Sequence, residues 1–457
     1  MSAELIADAA RTLRASYAAL PSLRDMATLR ADSKMAEARG YYDPIEDERL
    51  RETYTSYLGM RVAIWQTIQS LKPRFRRYEK GQTLTEGELQ AFGIALCGAE
   101  IIVRTGEYLI GLAKDRDIVW KKLDEAELRY GLERKSFTRL YRQLTSNFTM
   151  RGFYKARDYF DSHRDAVMSA METENLRPVK KILTELNLPT ASRGDHLRRY
   201  RRFVNFSLRR RSISAGRNTL FALFEATGSD IAELKIPLVK TIGAPKRVTT
   251  DVIKTLKTQL HPGDVFITRH DDAMSNLFLP GFWPHGALYI GESAERDTCS
   301  IRQVSDGYKS SQAEGINVLE AKKDGVLLRA IEETLQVDAF VVLRPNLSSE
   351  HIAQALTKGL SHAGKLYDFI FDFSTSDRLV CTEVIYRAYH GVGPIDFSLS
   401  TKAGRKCLSA EDFLNQAIAM DWFKPVILYG VNSNDFTKPT YIRSKLAHTF
   451  QSNFASV

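Results

Sequence analysis

Two hydrophobic periods divide this chain. Up to about residue 240, apolar side chains recur three and four positions apart, the period of one helix face. In "MRVAIWQTIQSL", Met60, Ile64, Ile68 and Leu71 fall on one stripe. Thr85 and Glu88 form a T-x-x-E capping box ahead of "LQAFGIALCGAEIIVRTGEYLIGLA". Glu100, Arg104 and Glu107 interrupt that apolar segment, which predicts a buried core helix and not a membrane span. Helical patterns continue through roughly 116–145, 152–174 and 195–227, predicting a bundle of about six to eight helices.

Near residue 240 the period shortens. "KTIGAPKRVTTD" carries Gly243 and Pro245 and reads as a linker. Short runs rich in β-branched and aromatic residues follow, at 264–270, 286–292, 325–331 and 339–345, predicting strands. Helices are expected at 348–363 behind Ser348, at 378–390, where Ser374, Thr375 or Ser376 could cap, and at 410–419 behind Ser409. Strands first and helices after imply an α+β domain. The division expected is a helical domain at 1–240, a linker at 241–250 and an α+β domain at 251–457.

Composition adds limits. The 457 residues, 44% hydrophobic and 26% charged, have the make-up of a soluble globular protein. Cys97, Cys299, Cys381 and Cys407 show no C-x-x-C spacing, which argues against a zinc ribbon, a thioredoxin-like site or a disulfide scaffold. The first twenty residues contain no uninterrupted apolar stretch, so no secretory signal is read and a cytoplasmic, reducing location is expected. The net charge of +10 is uneven: residues 1–240 carry about +11 and residues 241–457 about −1. Its densest part is "HLRRYRRFVNFSLRRRS", where Arg198, Arg199, Arg201, Arg202, Arg209, Arg210 and Arg211 surround aromatic residues. Such a run suits an anionic membrane surface, with solvated or paired arginines as the plainer reading. No nucleic-acid-binding fold is recognisable, and nucleic acid is not the partner expected.

Chemistry gathers in the second half. Cys381 opens an apolar helical stripe with Val384, Ile385 and Ala388. A thiol in a helix's first turn meets unpaired N–H groups and the positive dipole end, both of which favour thiolate. A buried cysteine that only packs has the same pattern. His285, after Pro284 and before Gly286, stands where a strand should begin and could serve as the base. "RHDDAM" sets His270 beside Asp271 and Asp272, which could bind a metal with His261 or His285. Adjacent residues rarely point at one ion, so neither metal nor cofactor is expected.

Five elements occur in order: Pro262-Gly263-Asp264; His285; Glu320-Ala321 with Gly325-Val326; Gly364-x-x-Tyr367-Asp368-Phe369; and Cys381-Thr382-Glu383-Val384-Ile385-Tyr386. Together they resemble the permuted NlpC-type cysteine hydrolases, YiiX-like proteins with a circularly permuted papain fold, related to the lecithin–retinol acyltransferase group. The resemblance covers roughly residues 255–430 and leaves the helical domain aside. It implies a Cys381–His285–Glu320 triad, with Glu320 on the far nitrogen of the imidazole. Tyr367 and Thr382 become candidates for binding substrate or the oxyanion, while Glu383 is read as half of a structural salt bridge.

The expected function is thus a cysteine-dependent hydrolase or acyltransferase acting on an amide or ester, on a lipid-linked or small peptide substrate. Two alternatives stay open: a peptidoglycan peptidase delivered as an effector, and a non-enzymatic interaction protein built on a relic fold. The oligomeric state is not legible.

Overall fold

The computed structural model describes residues 3–20, 23–80, 82–114, 116–186, 246–270, 282–298, 315–368, 371–402 and 405–450, with 452 and 454. The arginine run 198–211, Cys299, Asp271, Asp272 and the first half of the expected linker lie outside them. The chain forms two compact units. The first comprises Met1–Ala126 and Leu132–Ser214; the second comprises Glu127–Gly131 and Ala215–Val457.

Among the described residues the first unit holds nine α-helices, α1 to α9, from Ala3–Ala18 to Arg177–Leu186. The longest, α3 (Pro44–Phe75), carries Met60, Ile64 and Leu71 on its buried side. The capping box forms: Glu88 accepts from the Thr85 N–H at 2.7 Å, and α4 (Glu86–Ala113) begins there. Although α4 is long and apolar enough to cross a bilayer, 72% of its most apolar stretch is buried inside the protein. Its glycines explain the tight packing, since a Cβ at Gly98 would lie 2.7 Å from Ile64.

The second unit is built on a six-stranded antiparallel sheet ordered β10-β5-β1-β2-β3-β4. Its strands are β1 (Val265–Arg269), β2 (His285–Tyr289), β3 (Ile316–Lys322), β4 (Gly325–Ala330), β5 (Ala339–Pro345) and β10 (Phe423–Tyr429). Side chains alternate between the faces. Val265, Ile267, Leu288, Leu319, Val341 and Leu343 pack with α13 (Ser349–Leu360), α14 (Cys381–Tyr389) and α15 (Ala410–Ala419). On the other face Phe266, Ala287, Tyr289, Val318 and Phe340 pack with α10 (Thr250–Lys257) and Ile331 of the short helix α12 (Ile331–Thr334). The result is a three-layer α+β unit, as the element order implied.

Two readings need correction. The helix expected at 378–390 begins only at Cys381, because Arg378–Leu379 form a short strand, β7, parallel to β6 (Leu366–Tyr367). Its N-cap is therefore Val380, without a side-chain cap, and not Ser374, Thr375 or Ser376. Strands β3 and β10 are additional to the expected four; Pro425 masks β10, and the ladder shifts register beside it, between Pro425 and Ile427.

Candidate active site

The Pro-Gly-Asp turn positions the first strand. Gly263 adopts φ +94°, a conformation suited to glycine, and its N–H donates to the Tyr289 carbonyl at 2.9 Å. Asp264 is buried and accepts two bonds from Arg344 of β5, at 2.9 and 2.8 Å, and one from the His261 N–H at 2.8 Å. The motif is thus a structural clamp between β1 and β5.

His285 is the first residue of β2, opposite Thr268. Alternation sets it on the face of Ala287, and sets Glu320 of β3 with Val318 on that same face. Helix α14 covers the other face, yet its first residue meets the imidazole. His285 stands at the strand's end, and Gly286 offers no side chain to hold the helix away. A Cβ at Gly286 would lie 2.7 Å from Cδ1 of Ile385.

The resulting chain of contacts joins three elements. The Cys381 thiol is hydrogen-bonded to His285, and the backbone N–H groups of Gly286 and Thr382 also donate to the sulfur. His285 Nε2 lies 2.7 Å from Oε1 of Glu320, which leaves Nδ1 for the thiol. Cys381 is 4% exposed and the Glu320 side chain fully buried. The far oxygen of Glu320 accepts from Lys322 Nζ at 2.8 Å and Thr334 Oγ1 at 3.1 Å; Arg329 Nε, 3.4 Å away, forms an ion pair with it without hydrogen-bond geometry.

Burial opposes charge on all three groups, and their mutual attraction overrides it. Burial alone would raise the Cys381 pKa, but the His285 charge and hydrogen bond, with the Gly286 and Thr382 N–H groups, lower it. For His285, burial works downward, while the charges and hydrogen bonds of Cys381 and Glu320 push its pKa up to about 10. Burial of Glu320 is likewise outweighed, by His285 and Lys322, and its pKa falls to about 2. The arrangement shifts all three groups toward their charged forms, thiolate, imidazolium and carboxylate. Cys97 makes the contrast: burial pushes its thiol well up, with Glu100 adding to the effect.

Tyr367 lies across from Leu379, two residues before the nucleophile. Burial, then the Cys381 charge, drives its hydroxyl pKa well above the ordinary value, so it remains a proton donor. Thr382 reaches the sulfur through its backbone N–H. Glu383 pairs with Arg387 at 2.9 Å, both buried, in the structural bridge expected of it.

Four contacts went unread in the sequence: Lys322, Arg329 and Thr334 around Glu320, and the Gly286 N–H on the thiol. Lys322 could have been found, since i and i+2 on a strand share a face. Arg329 and Thr334 could not, because the β3–β4 pairing brings them there. Among the described residues no group of three His, Cys, Asp or Glu side chains could hold a metal.

No curated protein and no solved structure matches the chain significantly. A family match does exist, and it spans every element of the geometry above. Residues 259–442 match the family described as permuted papain-like amidase enzyme, YaeF/YiiX, C92 family, and the C-terminal part of this chain has the α+β fold of a permuted papain-like domain.

Proposed function

We propose that the C-terminal unit hydrolyses an amide bond through Cys381, His285 and Glu320. The observation that carries this reading is the continuous chain from thiol to imidazole to buried carboxylate, with 2.7 Å between His285 Nε2 and Glu320 Oε1. The Cys381 thiolate attacks the carbonyl carbon and forms a C–S bond. As the tetrahedral oxyanion collapses, the C–N bond breaks and imidazolium gives its proton to the leaving amine. Neutral His285 then takes a proton from water, whose oxygen attacks the thioester. Thiolate leaves with the acid product, and the resting imidazolium is restored. Glu320 fixes the tautomer and balances the imidazolium charge in both half-reactions. The backbone N–H groups at the uncapped start of α14 and the protonated hydroxyl of Tyr367 are suited to the oxyanion.

The substrate proposed is an acyl amide, lipid-linked or a small peptide, with the basic run 198–211 as contact to an anionic surface. An assay of lipid extracts and muropeptides, comparing the protein with Cys381→Ala, tests it. Loss of product only in the variant is the expected result, and the class consumed distinguishes a lipid amide from peptidoglycan. Limiting iodoacetamide should label Cys381 ahead of Cys97 and Cys407. Equal labelling, with no Cys381-dependent product, would instead support the relic-fold alternative.

A further inference from the structure

Glu320 is held by more than the base it serves. One oxygen faces His285; the other meets Lys322, Arg329 and Thr334 at 2.8, 3.4 and 3.1 Å. Two of those three groups are cations. Lys322 comes from the same strand two residues on, Arg329 from the neighbouring β4, and Thr334 from α12. Arg329 is shared with Asp324 and with Glu333, the latter at 3.8 Å. Lys322, with a side chain 35% exposed, lies at the solvent side of the cluster. Cys381 of α14 is the titratable group that meets His285 on the side away from Glu320, and Tyr367 of β6 and its neighbour Asp368 act in turn on one another and, for Tyr367, on Cys381.

A carboxylate bound only through its near oxygen could turn about its last torsion, which is broad and twofold. Donors fixed on the far oxygen remove that freedom. Thr334 alone could hold the orientation, but it adds no charge. A nearby cation favours the deprotonated form of every group it reaches. Lys322 and Arg329 therefore bias Glu320, Cys381 and His285 in one direction.

We propose that Lys322 and Arg329 are positioning residues of the hydrolase: Lys322 grips the far oxygen of Glu320 so that its near oxygen meets His285, Arg329 adds its charge beside it, and the two charges set the pH range in which the thiol–imidazole–carboxylate chain is ionised. This inference rests on the amide-hydrolase reading above. It separates two functions on one carboxylate, the near oxygen serving the base and the far oxygen serving the pH range.

The test uses the full chain and needs no substrate. Iodoacetamide at limiting concentration is reacted across a pH series, and alkylation of Cys381 is followed by mass spectrometry of its peptide. Wild type is compared with Lys322→Met, Lys322→Arg and the double variant Lys322→Met/Arg329→Met. Lys322→Met should move the inflection of Cys381 reactivity upward by about half a pH unit, the size for a partly screened cation. The double variant should move it further, and Lys322→Arg should return it to the wild-type position. A purely structural contribution would lower the melting temperature without moving the inflection. A wild-type inflection near the ordinary thiol value of about 8.5 would overturn the hydrolase reading and this inference with it. A low wild-type inflection that Lys322→Met leaves in place overturns this inference alone. Where the double variant does not fold, Lys322→Met, altered at a partly exposed side chain, decides the matter.

Discussion

Replacing Gly286 by Ala tests whether the missing side chain beside the base is what lets the nucleophile reach it. The added Cβ would lie 2.7 Å from Ile385 Cδ1 and 3.2 Å from Ile267 Cδ1. Carbon atoms prefer about 3.5–4.0 Å, so the contact with Ile385 is short by roughly 1 Å. Ile385 and Ile267 are fully buried among the core side chains. Overpacking of this kind costs about 1–3 kcal/mol. The displaced element is α14, so the strain falls on the thiol–imidazole bond, where a shift of about 1 Å can lower turnover on the order of 100-fold. Ile385→Val removes the clashing Cδ1. Alone it should cost about 0.5–1.5 kcal/mol through a small void. Combined with Gly286→Ala it should recover stability, a coupling of at least about 1 kcal/mol in a double-mutant cycle. Urea unfolding gives the energies, and the rate of Cys381 alkylation at one pH gives the site geometry. The reasoning is refuted if alanine at 286 leaves both unchanged, or if valine at 385 rescues neither.

Two further outcomes follow from the same contacts. Arg344→Met removes both guanidinium bonds from the buried Asp264 carboxylate and leaves it the bond from the His261 N–H, and urea unfolding should show a loss of about 3–5 kcal/mol; a neutral result would mean that the Pro-Gly-Asp turn does not depend on the clamp. Folding lowers the Glu320 pKa from 4.5 to about 2, so its stabilisation is full above about 4.5 and is lost as pH falls through about 2. At 1.36 kcal/mol per unit this amounts to about 3 kcal/mol. Unfolding of wild type and Glu320→Gln at pH 5 and pH 2 should therefore converge at the lower pH, and parallel curves would contradict the assignment. His285 runs the other way: with its pKa raised from 6.5 to about 10, its contribution is full below about 6.5 and is lost as pH rises through about 10.

Local chemistry alone determined much of this protein. The 3.6-residue period of Met60, Ile64 and Leu71 and the Thr85–Glu88 box required helices, and both are satisfied within a few residues of chain. Alternation and β-branched runs marked β1, β2, β4 and β5 for the same reason. The order of Asp264, His285, Glu320, Tyr367 and Cys381 was readable through the family resemblance; His285 and Cys381 each also open an element, whereas Glu320 lies inside β3. Long-range pairing decided the rest. The strand β7 exists only because β6 lies beside it, and that pairing moved the helix start onto Cys381, against the serines that composition favoured as caps. Arg329, nine residues on, approaches Glu320 through β3–β4 pairing, and Thr334, fourteen residues on, through the helix α12 that follows β4. The distance between Cys381 and His285 was beyond any local rule as well. It depends on a helix and a strand separated by more than ninety residues, and on Gly286 lacking the one methyl group that would keep them apart.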